Sequence, residues 1–215
     1  SQCGLDFKKI FKQIYKIKPV PGRLECVAEL KNNSKIIVDF AHTPDALEQS
    51  LIALKKQFKK EILIVFGCGG ERDKSKRKKI GKIVNGLCNK IFVTDDNPRG
   101  EKPELIRKAI IKHIKKEKVV EEGNRVFAVH SAIKYSNPNE IILIAGKGHE
   151  DIQDYGKKKY KISDFKIVKS LKIKKNKKKK ETNFQLNKFL INKIINRKLD
   201  KGFSEISINS KSIKK

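Results

Sequence analysis

The sequence predicts an α/β fold, a doubly wound and mostly parallel sheet, followed by a short, incomplete α+β tail. Three observations carry this. Apolar runs at Ile62–Phe66, Ile91–Thr94 and Ile141–Ala145 are short, largely β-branched and nearly free of charge, as strands buried on both faces must be. Helical patterns lie between them, at Asp45–Phe58, Ser75–Leu87 and Pro103–Ile114. Polar, glycine-containing clusters follow the strands, at the carboxyl ends where an open sheet of this kind binds ligands.

The remaining elements follow in chain order. Leu5, Ile10, Phe11, Ile14 and Tyr15 recur at helical spacing, and Pro19, Pro21 and Gly22 break that helix at a domain boundary. An extended stretch from Leu24 to Leu30 comes next, then the run Ile36-Ile37-Val38 ending at Asp39-Phe40. Pro44 and Pro103 stand in first helical turns, where a missing N–H costs nothing. Val126–Val129 reads as one more short strand, with a helix running on through Ile133. Ser163-Asp164-Phe165 caps a last helix to about Ile173. Lys174-Lys175-Asn176 and Lys177 to Lys180 then form a solvated, self-repelling linker. Phe184, Leu186, Phe189, Leu190, Ile194 and Ile195 resume a helical pattern, and Ile206-Ser207-Ile208 alternates like a strand. This tail has too little apolar surface to close a core alone. Residues 1–20 are therefore read as the end of one domain, 21–174 as the α/β domain, 175–183 as a Lys-rich linker and 184–215 as the incomplete start of another domain. The opening Ser1-Gln2-Cys3 and the uncapped end at Lys215 both read as cuts in a longer polypeptide.

Composition narrows the function classes. Of 215 residues, 52 are Lys or Arg and 24 are Asp or Glu, a formal net charge of +28 that would ordinarily suggest a polyanionic partner. The excess is mostly Lys and accompanies abundant Ile and Asn, a combination that the codons of an AT-rich genome also produce. No aromatic side chains interleave with the basic runs, so a stacking platform for single strands is not supported. A basic nucleic-acid-binding module remains the alternative from another class, and it predicts steep salt dependence. Cys3, Cys26, Cys68 and Cys88 form no C-x-x-C pair and have no His at finger spacing, which argues against zinc and for a reduced compartment. No apolar run approaches the roughly 20 residues of a membrane span, and no signal pattern opens the chain. A soluble, cytoplasmic protein is expected.

Four clusters could carry chemistry. Asp39-Phe40-Ala41-His42-Thr43-Pro44-Asp45 opens a helix whose N-terminus suits a phosphate or carboxylate, although taken alone simple capping by Thr43 or Asp45 is the better explanation. Gly67-Cys68-Gly69-Gly70-Glu71-Arg72-Asp73 lets backbone approach a ligand closely, and a mere turn would not need Arg72; the spacing is not that of a nucleotide P-loop. In Asp95-Asp96-Asn97-Pro98-Arg99 a proline-stiffened turn presents Arg99 as a fork for a carboxylate. In Gly146-Lys147-Gly148-His149-Glu150, glycines expose backbone and Glu150 can accept from an ammonium. Arg72, Asn97, Arg99 and Glu150 together suit a zwitterionic amino acid, without saying which.

Taken together and in this order, these strings closely resemble the C-terminal domain of the Mur ligases, within them the branch that adds diaminopimelate. Pro21-Gly22-Arg23-Leu24-Glu25 adds to the match, which spans roughly Ser1 to Ile173. The resemblance implies a Rossmann-like acceptor-binding domain of an ATP-dependent acid–amino-acid ligase of peptidoglycan synthesis, joining meso-diaminopimelate to UDP-MurNAc-L-Ala-D-Glu. It implies that Asp96, Asn97, Pro98 and Arg99 grip the distal amino-acid centre of diaminopimelate, with Arg72, Gly146 and Glu150 as further contacts. It puts Arg23, Asp39 and His42 near ATP. Lysine-adding relatives usually lack the arginine of this string; a lysine-adding or folylpolyglutamate-type ligase is the alternative within the family. In such enzymes ATP phosphorylates the glutamyl carboxylate and the amine attacks the acyl phosphate. ATP and Mg2+ would be held mainly by a central domain whose last helix is Leu5–Tyr15, so neither a catalytic residue nor a metal ligand is assigned here, and this piece is not expected to act alone. From Phe184 onward the chain resembles the start of a second Mur ligase, with Ser207-Ile208-Asn209-Ser210-Lys211 where the family often has Asp-Ser-Arg. The D-alanyl-D-alanine-adding enzyme is the preferred identity, which makes a two-enzyme fusion the expectation. Neither nucleic acid nor membrane is an expected partner.

Overall fold

A computed structural model of the chain describes residues 20–171. The expected helix at Leu5–Tyr15, the Lys-rich linker, and the helix and strand beyond Phe184 lie outside the described residues.

The strand runs become a six-stranded sheet. In chain order these strands are β1 (Glu25–Glu29), β2 (Lys35–Asp39), β3 (Ile62–Phe66), β4 (Lys90–Val93), β5 (Val119–Glu121) and β6 (Ile141–Ala145). Their spatial order is β1-β2-β6-β3-β4-β5, with β1 antiparallel at one edge and every other pairing parallel. The mostly parallel, doubly wound sheet is therefore as the sequence predicts. β3 and β6 are fully buried along their length, which explains runs without a single charge.

Helices α1 (Pro44–Phe58), α2 (Ser75–Leu87) and α3 (Pro103–Ile111) pack side by side as they carry the chain outward from β2 through β3 and β4 to β5. Helix α4 (Arg125–Tyr135) then returns the chain to β6 in the middle of the sheet. A right-handed crossover that reverses direction must lie on the other face, and α4 does so together with α5 (Asp164–Ser170). Ala128, Val129 and Ala132 of α4 and Ile167 and Val168 of α5 meet Ile36, Val38, Leu63, Val65, Phe92, Ile142 and Ile144 of the sheet. The alternate residues Ile37, Ile64 and Leu143 are equally buried and point the other way.

Three local readings change. Val126–Val129 is not a strand: Asn124 accepts from the N–H groups of Val126 and Phe127, which starts α4 there, and the expected extra strand is β5 instead. Helix α3 stops at Ile111, although Ile114 remains buried in the turn that follows. Ser163 occupies the cap position of α5 but makes no side-chain cap bond. A hairpin that the pattern did not reveal, β7 (Ile152–Asp154) with β8 (Lys159–Lys161), stands apart from the main sheet. None of the described helices is long and apolar enough to cross a membrane.

Candidate functional site

Register explains why the four polar clusters meet. Asp39, the last residue of β2, lies opposite Ala145, the last of β6; Val65 lies opposite Ile144; Phe66 lies opposite Val93. Four neighbouring strands thus end level, and the loops that leave them start at one height. Together they enclose a cleft of about 580 Å³. Arg72, Asp96, Asn97, Arg99, Gly146 and Glu150 line it, as do His42, Cys68, Lys76 and Lys79. Three of the predicted residues do not line it: Arg23, Asp39 and Pro98.

Asp39 is 4% exposed. Its Oδ1 accepts from the N–H groups of Leu24 (3.1 Å) and Phe40 (2.9 Å), and its Oδ2 from the Ser50 hydroxyl (2.7 Å). Three protein donors engage this carboxylate, so it ties the residue before β1 to β2 and α1. Arg23 lies over the Phe40 ring at 4.2 Å, and that ring stacks on His149. His42 is exposed, with Nδ1 2.9 Å from the Phe40 carbonyl. Thr43 caps α1 by accepting from the Ala46 N–H (3.3 Å), so capping does account for that residue. Among the described residues no group of three or more His, Cys, Asp or Glu side chains is placed to hold a metal ion.

The opposite wall is more tightly built. Arg99 sits in the left-handed region at φ +53°, a strained setting held by its N–H bond to the Asp154 carbonyl (3.0 Å). Its Nη1 donates to the carbonyls of Gly70 (2.9 Å) and Asn97 (3.3 Å), which leaves the rest of the guanidinium for a ligand. Asn97 donates from Nδ2 to Glu150 Oε2 (3.3 Å) and accepts at Oδ1 from the Asp154 N–H (2.9 Å). Pro98 turns its carbonyl to the Glu101 N–H (3.1 Å) and packs against Gly70, where any β-carbon would collide. Gly146 has φ +108°, and its bare Cα leaves room for the Asp96 carboxylate. Arg72 is exposed and makes no hydrogen bond with the described residues.

Several residues that hold this wall were not singled out from sequence. The hairpin braces the Asp-Asn-Pro-Arg loop: Gln153 donates to the Asp95 carbonyl (3.0 Å), and Tyr155 donates to the Asp95 carboxylate (2.8 Å), which Arg107 also pairs. Burial, aided by that bond to Asp95, raises the Tyr155 phenol above its ordinary value. Glu101 receives Arg77 (3.0 Å) and the Glu71 N–H (2.6 Å), tying the glycine loop to the proline loop; the Arg77 bond and the backbone bond hold its carboxyl below the usual range. Lys147, fully buried between two glycines, reaches both Asn97 and Glu150. A lysine at the end of a charge-free strand was the only signal for it. Cys68 is a wall residue and not a nucleophile, since burial pushes its thiol up to about 12.

The arrangement gathers guanidinium forks and carboxylates in one cleft. Comparison with known proteins places it in a family: the family described as Mur ligase, glutamate ligase domain, matches residues 22–148. The chain belongs to this family. Among the relatives of this Mur ligase chain is the UDP-N-acetylmuramoyl-L-alanyl-D-glutamate–2,6-diaminopimelate ligase of Rickettsia felis, 45% identical over 170 residues, covering 78% of this chain and 31% of that protein. The protein of that name from Prochlorococcus marinus is 41% identical over 185 residues, covering 83% and 36%. A solved structure of a ligase of this name is 33% identical with a TM-score of 0.64, covering 79% of this chain and 35% of that one. A Mycobacterium tuberculosis folylpolyglutamate synthase complexed with ADP, at 19% identity and a TM-score of 0.56, shares the fold. The chain spans about a third of the length of the curated relatives it matches.

Proposed function

We propose that this chain is the amino-acid-binding part of an ATP-dependent ligase that joins meso-diaminopimelate to UDP-MurNAc-L-Ala-D-Glu in peptidoglycan synthesis. The observation that carries the reading is the convergence of Arg72, Arg99, Asp96 and Glu150 on one cleft. Meso-diaminopimelate carries an ammonium and a carboxylate at each end. Arg99, helped by Arg72, takes carboxylate through charge-assisted bonds, while Glu150 and Asp96 take ammonium. Asn97 spans the two. Holding one end of the amino acid this way aims the amine at the other end toward the activated glutamyl carbonyl, and orientation of that kind is itself a large part of catalysis. ATP with Mg2+ supplies the leaving group by phosphorylating that carboxylate. Arg23 and His42 are the residues of this chain available to the nucleotide. Residues 1–20 as the end of a central ATPase domain, and 184–215 as the start of a second ligase, belong to the same proposal, and the complete open reading frame tests both.

Arg99 separates diaminopimelate from lysine, which lacks the distal carboxylate. In the complete ligase, Arg99→Ala removes charge-assisted bonds worth about 1.5–3 kcal/mol, so KM for diaminopimelate rises roughly 10- to 150-fold while lysine gains little. Unchanged kinetics would end the assignment of this fork.

A further inference from the structure

Lys147 stands beneath the cleft without opening onto it. The residue is 0% exposed, and Nζ donates to Asn97 Oδ1 (3.2 Å), Glu150 Oε2 (3.2 Å) and the Ile152 carbonyl (2.6 Å). An ammonium has three protons, and all three are engaged inside the protein. Lys147 therefore has none left for a ligand. What it does is fix two residues that have.

Asn97 Oδ1 faces both Lys147 and the Asp154 N–H, so its amide oxygen is held inward and its Nδ2 is turned to Glu150. Glu150 Oε2 receives Lys147 and Asn97, whereas Oε1 makes no bond with the described residues, and 37% of the side chain is exposed at the cleft. Asn97 leaves β4 and Glu150 leaves β6, so no local turn sets their relative position. The buried ammonium is the shared anchor.

We propose that Lys147 is the positioning residue of this cleft, locking Asn97 and Glu150 into the arrangement that leaves one carboxylate oxygen of Glu150 free for the ammonium of a bound amino acid. The proposal rests on the reading of the cleft as the amino-acid site. Charge alone predicts the opposite sign. Lys147 places a cation beside the carboxylate that must receive one, so deleting it makes the cleft more negative and would strengthen ammonium binding. Positioning predicts weaker binding, because Glu150 without its cation and Asn97 without its donor lose their common anchor.

The test is steady-state kinetics of the complete ligase carrying Lys147→Met. Losing one charge-assisted anchor is expected to raise KM for diaminopimelate roughly 10-fold or more, with KM for ATP and for the UDP-linked acceptor within about twofold. Lys147→Arg, which keeps a charged donor, is expected to recover part of the loss. Lys147→Gln replaces Lys147→Met if that variant does not fold, with the same expectation. A diaminopimelate KM that falls or stays unchanged overturns the proposal, as does an equal rise in all three KM values. Arg99→Ala and Glu150→Gln run in parallel. If neither moves the diaminopimelate KM, the amino-acid reading itself fails. If both move it and Lys147→Met does not, only the positioning role fails.

Discussion

Arg125 and Asp164 form an ion pair that is 0% exposed on both sides, directly behind the cleft. Arg125 Nε and Nη2 each reach the carboxylate at 2.8 Å, and Nη2 also donates to the carbonyl of Ala145, the residue before Gly146. Burial pulls the Arg125 guanidinium down, but the charge and hydrogen bonds of Asp164 outweigh this and the net direction is up. Arg125→Met would leave the Asp164 carboxylate buried and unpaired, at a cost of about 3–5 kcal/mol. With a urea dependence of about 2 kcal/mol per molar, the unfolding midpoint should fall by roughly 1.5–2.5 M. Asp164→Leu alone should cost a similar amount. The double variant should not cost the sum. Arg125 Nη1 has no acceptor among the described residues, so the pair is incompletely repaid for its desolvation, and removing both charges together should land within about 1–2 kcal/mol of the parent. Urea unfolding of the four proteins, followed by circular dichroism, measures the cycle. Additive single losses would refute the reasoning, because they would mean that neither charge depends on the other.

Two further perturbations reach the cleft walls. Gly146→Ala puts a β-carbon 3.0 Å from Asp96 Oδ2 on a backbone at φ +108°, so it should cost about 1–3 kcal/mol in urea unfolding and raise the diaminopimelate KM; Gly86→Ala, with open space around it, should do neither. Glu101→Gln tests the tie between the glycine and proline loops: because the folded carboxyl is held below its ordinary value near 4.5, its stabilisation is complete above that value and is lost as pH falls through the depressed folded value. The stability gap between parent and variant should be constant at neutral pH and shrink only in acid, and a gap that stays constant down the acid limb would show that the carboxylate charge contributes nothing.

The sheet was legible because burial on both faces leaves no room for charge, and runs such as Ile62–Phe66 and Ile141–Ala145 can be little else. β5 was missed for the converse reason. Val119-Val120-Glu121 is an edge strand of three residues, half-buried and flanked by lysine, so its periodicity is too short to stand out. The apolar stretch beside it drew the strand assignment, although Asn124 already carried the cap that makes Val126–Val129 helical. In the cleft, the charged residues that line it were legible by type, since an arginine beside glycines at a strand end stands out in the sequence. Residues that act on other residues were not. Lys147 and the hairpin from Ile152 reach the Asp-Asn-Pro-Arg loop through contacts 50 to 60 positions away, such as Lys147 with Asn97 and Tyr155 with Asp95, and no local pattern encodes those.

The charged groups of the cleft are held on different terms, and that difference bears on how an amino acid would be held. Asn97, Arg99 and Glu150 are each tied to another loop before any ligand arrives: Arg99 to Gly70, Asn97 to Asp154, and Glu150 to Asn97. Their ordering cost is met on folding, so contacts to them return most of their energy as affinity. Arg72, whose side chain lies beside Arg99 at Gly69, has no such tie to the described residues, and immobilising a long side chain costs about 1–2 kcal/mol. A carboxylate reaching Arg99 therefore gains more than the same carboxylate reaching Arg72, even though the two guanidinium groups are chemically alike. On the proposed reading, discrimination between amino acids resides in the loop wall braced by the hairpin, and Arg72 adds charge to a geometry set by its neighbours.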